Sequence, residues 1–219
     1  ILSKLYSKKF NPFVSTKVPL NEEDVRFLAS IGVKDIQISL DTLIPENLNK
    51  IVHSKSTYYQ DIIKTLNHLD KYNIKTVIHT IICKENDTID DIKSLETELF
   101  KHSNIYLWRI DPATYSMPKG VTSFENYKTT KQKLIEIYDY IKTQSYPIRV
   151  LANSLYNNAN KIQKKNNNNF IENRVLCTAN YSHLFILPDG KVTICEQLYW
   201  NPTFIVGDVL ESSLADIWI

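Results

Sequence analysis

The 219-residue sequence predicts an α/β fold with parallel strands, followed by a small β-hairpin module near the C-terminus. Two observations predict the α/β part. Strand-like and helix-like segments alternate at intervals of roughly thirty residues, and the strands are nearly continuous apolar runs, as strands buried on both faces are. A third observation predicts the hairpin, because short apolar strands flank the turn sequence Pro188-Asp189-Gly190.

The strands and helices follow one another in a regular order over residues 1–150. The segment NPFVSTKVPL predicts a strand, Asn21 is a candidate helix N-cap with Asp24 three residues later, and Gly32 ends that helix. Further strands are predicted in VKDIQISLDT, IKTVIHTIICKEN and NIYLWRIDPA, and further helices in STYYQDIIKTLNHLDKYN, TIDDIKSLETELFKH and FENYKTTKQKLIEIYDYIKTQ. Because such crossovers are right-handed, the units form either half of an eight-unit barrel or a doubly wound sheet.

The composition of the chain changes after residue 150. Residues 151–174 are rich in Asn and Lys and predict an exposed polar connection. Residues 175–219 then form the hairpin module, with a turn at Gly207 and a helix capped by Ser212 or Ser213. We therefore expect three parts: an α/β domain, a connection and a small module.

Charge and cysteine content exclude several classes of function. The net charge of +2 provides no strong attraction to nucleic acid or to a membrane surface. No apolar run approaches the roughly 20 residues of a membrane-spanning helix. Three cysteines without the spacing of a disulfide framework favour a reducing, cytoplasmic setting.

Polar residues at the carboxyl ends of the strands are the candidate binding groups, because chemistry in parallel α/β folds is located there. The candidates are Thr16, Lys17, Ser39, Asp41, residues 83–86 and residues 109–113. Other roles stay open: Ser39 and Asp41 as strand-end caps, and Lys17 as a solvated charge. Arg109 binds either an acidic ligand or Asp111, and we favour the pair with Asp111.

The cysteines near the C-terminus are spaced in a specific way. Cys177 is followed by twelve residues, Gly190, four residues and Cys195. Thiolates are the usual ligands of iron–sulfur clusters, but two cysteines cannot enclose one, and buried structural cysteines are the alternative. Cys83 stands alone and is interpreted as a small hydrophobic residue. The five histidines show no ligand pair at helix or strand spacing.

This cysteine spacing, with the run VGDVLESSLADIW and the upstream segments STK, IQISLDT and TIICKEN, resembles the radical S-adenosylmethionine (SAM) enzymes that carry a SPASM or twitch extension. The CxxxCxxC loop and the Gly-Gly-Glu strand of that family are absent from the sequence. We therefore expect a fragment: the C-terminal half of a partial (β/α) TIM-like barrel over residues 1–150, and the first half of the cluster module over residues 175–219.

The resemblance implies SAM and [4Fe–4S] clusters as cofactors of the parent enzyme, with no intact cluster expected in this fragment. It implies that Ser39, Asp41, Thr16 and Lys17 contact SAM, and that Cys177 and Cys195 bind an auxiliary cluster. The parent would cleave SAM to a 5′-deoxyadenosyl radical and modify a peptide or protein, while the fragment alone would be inactive. The alternatives are a non-catalytic peptide-binding module, or an unrelated half-barrel enzyme whose cysteines are structural.

The turn predicts where the two cysteines of the module lie. If Leu187 and Lys191 flank the turn, antiparallel pairing brings Cys195 to the level of His183. Cys177 precedes His183 by only six residues, which is a short distance for a chain that extends by at most about 3.3–3.6 Å per residue. We therefore expect Cys177 and Cys195 to approach each other in space.

Overall fold

The computed structural model describes residues 2–9, 13–52, 57–113, 127–160, 183–195, 199 and 201–218. These residues belong to two compact units. The first unit comprises Ile1–Ala113 and Tyr127–Ile162, and the described part of the second unit lies within residues 163–219. Each unit is considered by itself below.

The first unit contains a five-stranded sheet in which every neighbouring pair of strands is parallel. Its strands are β1 (Val14–Thr16), β2 (Asp35–Ser39), β3 (Lys75–Ile82), β4 (Ile105–Pro112) and β5 (Arg149–Leu151). Its helices are α1 (Leu2–Ser7), α2 (Glu22–Ser30), α3 (Pro45–Val52), α4 (Tyr58–Lys71), α5 (Ile89–Leu99), α6 (Lys131–Thr143) and α7 (Asn153–Asn160). The strand order β1-β2-β3-β4-β5 never reverses. This order matches the winding of a partial barrel, whereas a doubly wound sheet reverses its order.

Helices cover one face of this sheet and form the hydrophobic core with it. The strand residues in that core are fully buried, and they include Ile36, Ile38, Ile78, Trp108 and Ile110. The helices supply residues to the same core, among them Leu28, Ile62, Ile92, Leu134 and Leu155. Since side chains alternate along a strand, the residues between these core positions lie on the opposite face of the sheet.

The predicted signals at the helix ends are confirmed. The Asn21 side chain accepts a hydrogen bond from the Asp24 backbone, and the Asp24 side chain accepts one from the Asn21 backbone, which is a capping box. Gly32 ends α2 with a φ of 91°, in the left-handed region that glycine adopts without strain. Thr88 and Thr130 cap α5 and α6 in a similar way.

The structure differs from the sequence-based expectation at several helices and at one strand. Helices α1 and α3 were not predicted, and α6 starts at Lys131 rather than near residue 124. Strand β5 ends and helix α7 lies inside residues 151–174, where an exposed connection was expected. Leu155 and Ala159 of α7 are buried in the core. Residues 151–160 are therefore part of the first unit, because apolar contacts offset the low helix propensity of asparagine.

Strand β4 contains one residue more than its partner β3 near its start. Thr76 pairs with Ile105, but the next residue, Val77, pairs with Leu107. Tyr106 is the additional residue, and its side chain is exposed. Such a shift exchanges the faces on which the later side chains lie.

The second unit contains a three-stranded antiparallel sheet of short strands. Its strands are β6 (Phe185–Ile186), β7 (Lys191–Thr193) and β8 (Ile205–Asp208), accompanied by a 3₁₀ helix (Pro202–Phe204) and by α8 (Leu214–Trp218). The predicted hairpin is confirmed, since Leu187 and Lys191 flank a turn in which Gly190 has a φ of 92°. Ser213 caps α8 by accepting a hydrogen bond from the Asp216 backbone at 3.2 Å.

Among the described residues, no helix has the length and apolar composition that crossing a lipid bilayer requires.

Candidate functional site

Six polar residues lie in the carboxyl-terminal halves of the strands of the first unit or directly after them, and we call them the polar belt. They are Lys17, Ser39, Asp41, His79, Arg109 and Asp111. The strand members occupy positions that alternate with core residues such as Ile38, Ile78 and Ile110. The polar belt is therefore on the face of the sheet that the helices do not cover.

Strand pairing arranges the polar belt in two rows. Ser39 pairs with His79, and His79 pairs with Arg109, so these three residues share one level on adjacent strands. Lys17 directly follows β1 at the same level, because Thr16 pairs with Ile38. The two acids form the second row: Asp41 lies two residues after Ser39, the last residue of β2, and Asp111 lies two residues after Arg109 in β4. Adjacent strands are about 4.8 Å apart, so each acid is within reach of the cations in the first row.

One acid, Asp41, holds Lys17. The Lys17 Nζ and Asp41 Oδ2 atoms are 2.8 Å apart, and Lys17 is 48% exposed whereas Asp41 is 2% exposed. The other oxygen, Asp41 Oδ1, accepts a hydrogen bond from the Ile81 backbone at 2.9 Å. Both carboxylate oxygens are thus engaged inside the protein, which leaves the half-exposed Lys17 ammonium as the accessible group of this pair.

Tyr58 and Asn86 fix the backbone around this ion pair. The Tyr58 hydroxyl donates to the Lys17 carbonyl at 2.7 Å. Burial and the nearby charge of Asp41 raise the pKa of Tyr58 to about 12, so it stays a hydrogen-bond donor at neutral pH. The buried Asn86 amide donates to the Asp41 carbonyl at 2.6 Å and to the Ile81 carbonyl at 3.0 Å.

The loop after β2 is fixed by a buried acid from helix α5. Asp91 is fully buried, and its Oδ1 atom accepts hydrogen bonds from the Thr42 hydroxyl at 2.6 Å and from the Asn47 amide at 2.9 Å. A buried carboxylate is stable when its oxygens accept such bonds. This network holds the loop that follows Ser39 and Asp41 in one conformation.

The second acid, Asp111, binds two partners. Its Oδ2 atom accepts a hydrogen bond from Arg109 Nε and lies 3.0 Å from His79 Nε2. Burial raises the pKa of Asp111, but hydrogen bonding by Ser154, the charge of Arg109 and the contact with His79 lower it by more. The pKa of Asp111 is therefore below the usual value, and the acid is ionised at neutral pH.

The pairing of Arg109 with Asp111, favoured from the sequence, is confirmed, and the Arg109 side chain is 54% exposed. His79 was missed. The histidines form no ligand pair at helix or strand spacing in the sequence, whereas strand pairing brings His79 to an acid 32 residues away. The sequence contains one signal for His79, namely a polar residue within the apolar strand segment IKTVIHTIICKEN.

The two other predicted SAM contacts differ in their surroundings. The Thr16 hydroxyl accepts a hydrogen bond from the Val18 backbone at 2.9 Å, which is a local turn contact. Ser39 is partly exposed in the centre of the polar belt, and within the described part of the chain its hydroxyl takes part in no side-chain hydrogen bond. Of these two residues, Ser39 has the hydroxyl that is available to a ligand.

The cysteines also differ from one another. Cys177 lies outside the described residues, so its predicted approach to Cys195 stays a prediction. The pairing of Phe185 with Thr193 places Cys195 level with His183, as expected. Cys195 is partly exposed, whereas Cys83 is 7% exposed and burial raises the pKa of its thiol. Cys83 thus has the environment of an inert core residue, while Cys195 is accessible to a ligand. No group of three metal-binding side chains occurs within the described ranges.

Two family models match the chain, and together they define an iron–sulfur and SAM class of protein. The model of the radical SAM superfamily matches residues 1–97, and that of the SPASM iron–sulfur cluster-binding domain matches residues 177–219. These two matches support a radical SAM protein with a SPASM extension. These models indicate SAM and iron–sulfur clusters as the cofactors. The half-exposed Lys17 side chain and the partly exposed Ser39 and Cys195 side chains fit such polar and metal-containing groups.

Solved structures of similar fold agree with this assignment. SuiB from Streptococcus suis is 18% identical, with a TM-score of 0.70 over 99% of this chain and 50% of SuiB. The enzyme anSMEcpe with bound AdoMet and the Kp18Cys peptide is 14% identical, with a TM-score of 0.56 over 94% of this chain and 56% of that protein. At such identities the likeness shows the fold. The chain spans about half the length of these proteins, and no curated protein sequence matches it.

Proposed function

We infer that the protein is a radical SAM enzyme that modifies a peptide or protein substrate. The observation that supports this function best is the position of the polar belt. It lies in and directly after the carboxyl-terminal halves of parallel strands, on the face without helices, in a chain that matches both family models. When bound, SAM and a reduced [4Fe–4S] cluster supply the 5′-deoxyadenosyl radical that abstracts hydrogen in this superfamily.

The side chains of the first unit have separate roles in this proposal. The Ser39 hydroxyl donates to or accepts from a polar group of SAM. Lys17, held by Asp41, presents a positive charge at the same level of the sheet. Asp41 acts as a positioning residue, because both of its oxygens are engaged inside the protein. The helices on the opposite face exclude water from that side of the sheet.

In the second unit, Cys195 and Cys177 are the proposed ligands of an auxiliary cluster. The hairpin supports this role for Cys195, since the left-handed Gly190 allows a tight reversal that leaves the thiol partly exposed. A peptide or protein substrate is supported by the peptide bound to the structurally similar anSMEcpe. The substrate itself is left to experiment.

The test uses the full-length protein encoded by the gene, purified without oxygen and reconstituted with iron and sulfide. We expect stoichiometric iron and sulfide, and 5′-deoxyadenosine formed from SAM after addition of dithionite. The printed chain has three cysteines and no CxxxCxxC spacing, so we expect this chain alone to form none. If the full-length protein binds peptides but never cleaves SAM, it is a binding module and the proposed activity is wrong.

The role of Ser39 is tested separately in the same assay. Ser39→Ala removes one hydrogen bond, which weakens SAM binding by about 0.5–1.5 kcal/mol. The control is Ser30→Ala at the end of α2, where the hydroxyl bonds the Phe27 carbonyl at 2.7 Å, away from the polar belt. Equal SAM affinity in both variants would remove Ser39 from the site without affecting the proposed activity.

A further inference from the structure

The Arg109 side chain is unusual in its position. It projects from β4, whose other face carries the fully buried Trp108 and Ile110, yet its own side chain is 54% exposed. An exposed ion pair contributes only about 0–1 kcal/mol to stability. Such a small contribution to stability does not explain why Arg109, Asp111 and His79 lie together on the face of the sheet that the helices do not cover.

Asp111 holds the guanidinium in one orientation. The hydrogen bond uses Arg109 Nε, and none of the described residues is hydrogen-bonded to the two terminal Nη groups. A guanidinium presents parallel N–H donors that match the two oxygens of a carboxylate. Because Asp111 already restrains the guanidinium through Nε, Arg109 loses less conformational freedom when a carboxylate binds to its Nη groups.

The charges around Arg109 favour an anion. Asp111 is ionised and offsets one positive charge, but Arg149 on β5 lies on the same face, since it pairs with Leu107 two residues before Arg109. Arg109 and Arg149 thus contribute two positive charges here, and Asp111 contributes one negative charge. At the other end of the polar belt, Lys17 is balanced by Asp41. Among the described residues on this face, the β4–β5 side therefore has an excess of one positive charge.

We propose that Arg109, oriented by Asp111 and flanked by His79, binds a carboxylate of the peptide or protein substrate. This proposal rests on the proposed function, because it assumes that the substrate lies on the face of the sheet that the helices do not cover. It names the substrate class as peptides with an acidic side chain or a free C-terminus at the bound position. Asp111 is a positioning residue in this scheme.

The test measures the binding of three short peptides to the reconstituted full-length protein with SAM present. The probes are acetyl-GGEGG-amide, acetyl-GGQGG-amide and acetyl-GGQGG with a free C-terminal carboxylate. A lost charge-assisted hydrogen-bond pair corresponds to about tenfold or more in affinity. We expect at least one acidic peptide to bind that much more tightly than the neutral peptide, and the tighter one identifies the source of the carboxylate.

Three variants separate recognition by Arg109 from general attraction. Arg109→Ala should remove the preference for the acidic peptide, and Arg109→Lys should retain only part of it. Asp111→Asn makes the protein more positive, so general attraction would increase the preference, whereas loss of orientation decreases it. Lys131→Ala, at the exposed start of α6, is the charge-matched control and should leave the preference unchanged.

The proposal is wrong if all three peptides bind equally, or if Arg109→Ala keeps the preference while circular dichroism shows a folded protein. Failure of the proposed function has a different readout, the absence of 5′-deoxyadenosine. A protein that prefers acidic peptides but forms no 5′-deoxyadenosine would support the carboxylate site and contradict the radical chemistry.

Discussion

The two units of the molecule differ in how many apolar side chains their described residues bury. In the first unit, helices bury one face of a parallel sheet, and many of its core side chains are entirely buried. In the second unit, the strands have two to four residues, and Val192 is the buried hydrophobic residue among those described there. Large side chains such as Ile186, Leu210 and Trp218 are at least half exposed. Because the described residues of this unit bury so little apolar surface, we expect turns and close contacts to contribute most of their order.

The largest difference between the units is expected from the same substitution in each. Ile78→Ala in β3 removes a fully buried side chain and should cost about 2–5 kcal/mol. Ile186→Ala in β6 removes a side chain that is 52% exposed, and should cost within about 0.5 kcal/mol. Chemical denaturation of both variants, with hydrogen exchange to assign the loss, measures this. Equal costs would show that the second unit also has an apolar core.

For glycine substitutions we expect the opposite result, with the larger loss of stability in the second unit. Gly32 and Gly190 have φ values of 91° and 92°, so alanine costs roughly 1–2 kcal/mol of backbone strain at either position. At Gly32 the new Cβ lies 3.7 Å from a Tyr6 side-chain atom, but at Gly190 it lies 2.9 Å from Leu210 Cγ and 3.0 Å from Asp208 Oδ1.

Asp208 Oδ1 cannot move away easily, because it accepts the Leu210 backbone hydrogen bond at 2.8 Å. We expect Gly190→Ala to cost about 2–4 kcal/mol and Gly32→Ala about half of this. Hydrogen exchange of the amides in β6 and β7 would show the loss. The comparison fails if the Gly32 variant is the more destabilised of the two.

Removing one helix cap in each unit should give a smaller difference. Asn21→Ala breaks the capping box of α2 and should cost about 1 kcal/mol. Ser213→Ala removes the cap of α8, a helix of five residues without buried side chains, and should cost about 0.5 kcal/mol. Thermal unfolding of both variants tests this, with Thr88→Ala as a second cap in the first unit. A larger loss for Ser213→Ala would show that α8 contributes more than its burial indicates.

The smallest expected effect is the acid dependence of the first unit. The pKa of Asp111 is lower in the folded chain than its usual value, so the folded state binds fewer protons than the unfolded state. Its contribution is complete above the usual carboxyl pKa of about 4, and it is lost as the pH falls through the lower native value. Asp111→Asn should therefore flatten the decline in unfolding free energy between pH 5 and the acid limit. Asp139→Asn, exposed on α6, is the control, and an equal flattening there would contradict the assignment to Asp111.

Much of the first unit could be predicted from the sequence because its signals are local. The apolar strands, the Asn21–Asp24 capping box and Gly32 are recognisable without knowledge of the fold. Helix α7 could not be predicted, since its asparagines favour turns and only the burial of Leu155 against the core makes the segment helical. Helix α3 begins at Pro45, a favourable first helical residue, so the sequence does contain a local signal for the start of this helix.

The candidate site was predictable only as a set of strand ends. Ser39, Asp41, Thr16 and Lys17 were found because the carboxyl ends of parallel strands meet at one edge. Which acid holds which cation depends on strand register. The contact between His79 and Asp111 joins two strands, and no local pattern shows it. The approach of Cys177 to Cys195 that the hairpin turn predicts stays a prediction, because Cys177 lies outside the described residues.

The additional residue Tyr106 determines which side chains of β4 point to each face of the sheet. Before it, Ile105 pairs with Thr76, and after it, Trp108 and Ile110 point to the helices while Arg109 and Asp111 point to the open face. Deleting Tyr106 would shift this phase by one, so that either the guanidinium and its acid enter the core or the strand slides along its neighbour. Length changes of one residue are therefore far less tolerable at this point of β4 than point substitutions of Tyr106. A scan of single-residue deletions would identify the start of β4 as a boundary between tolerant and intolerant positions.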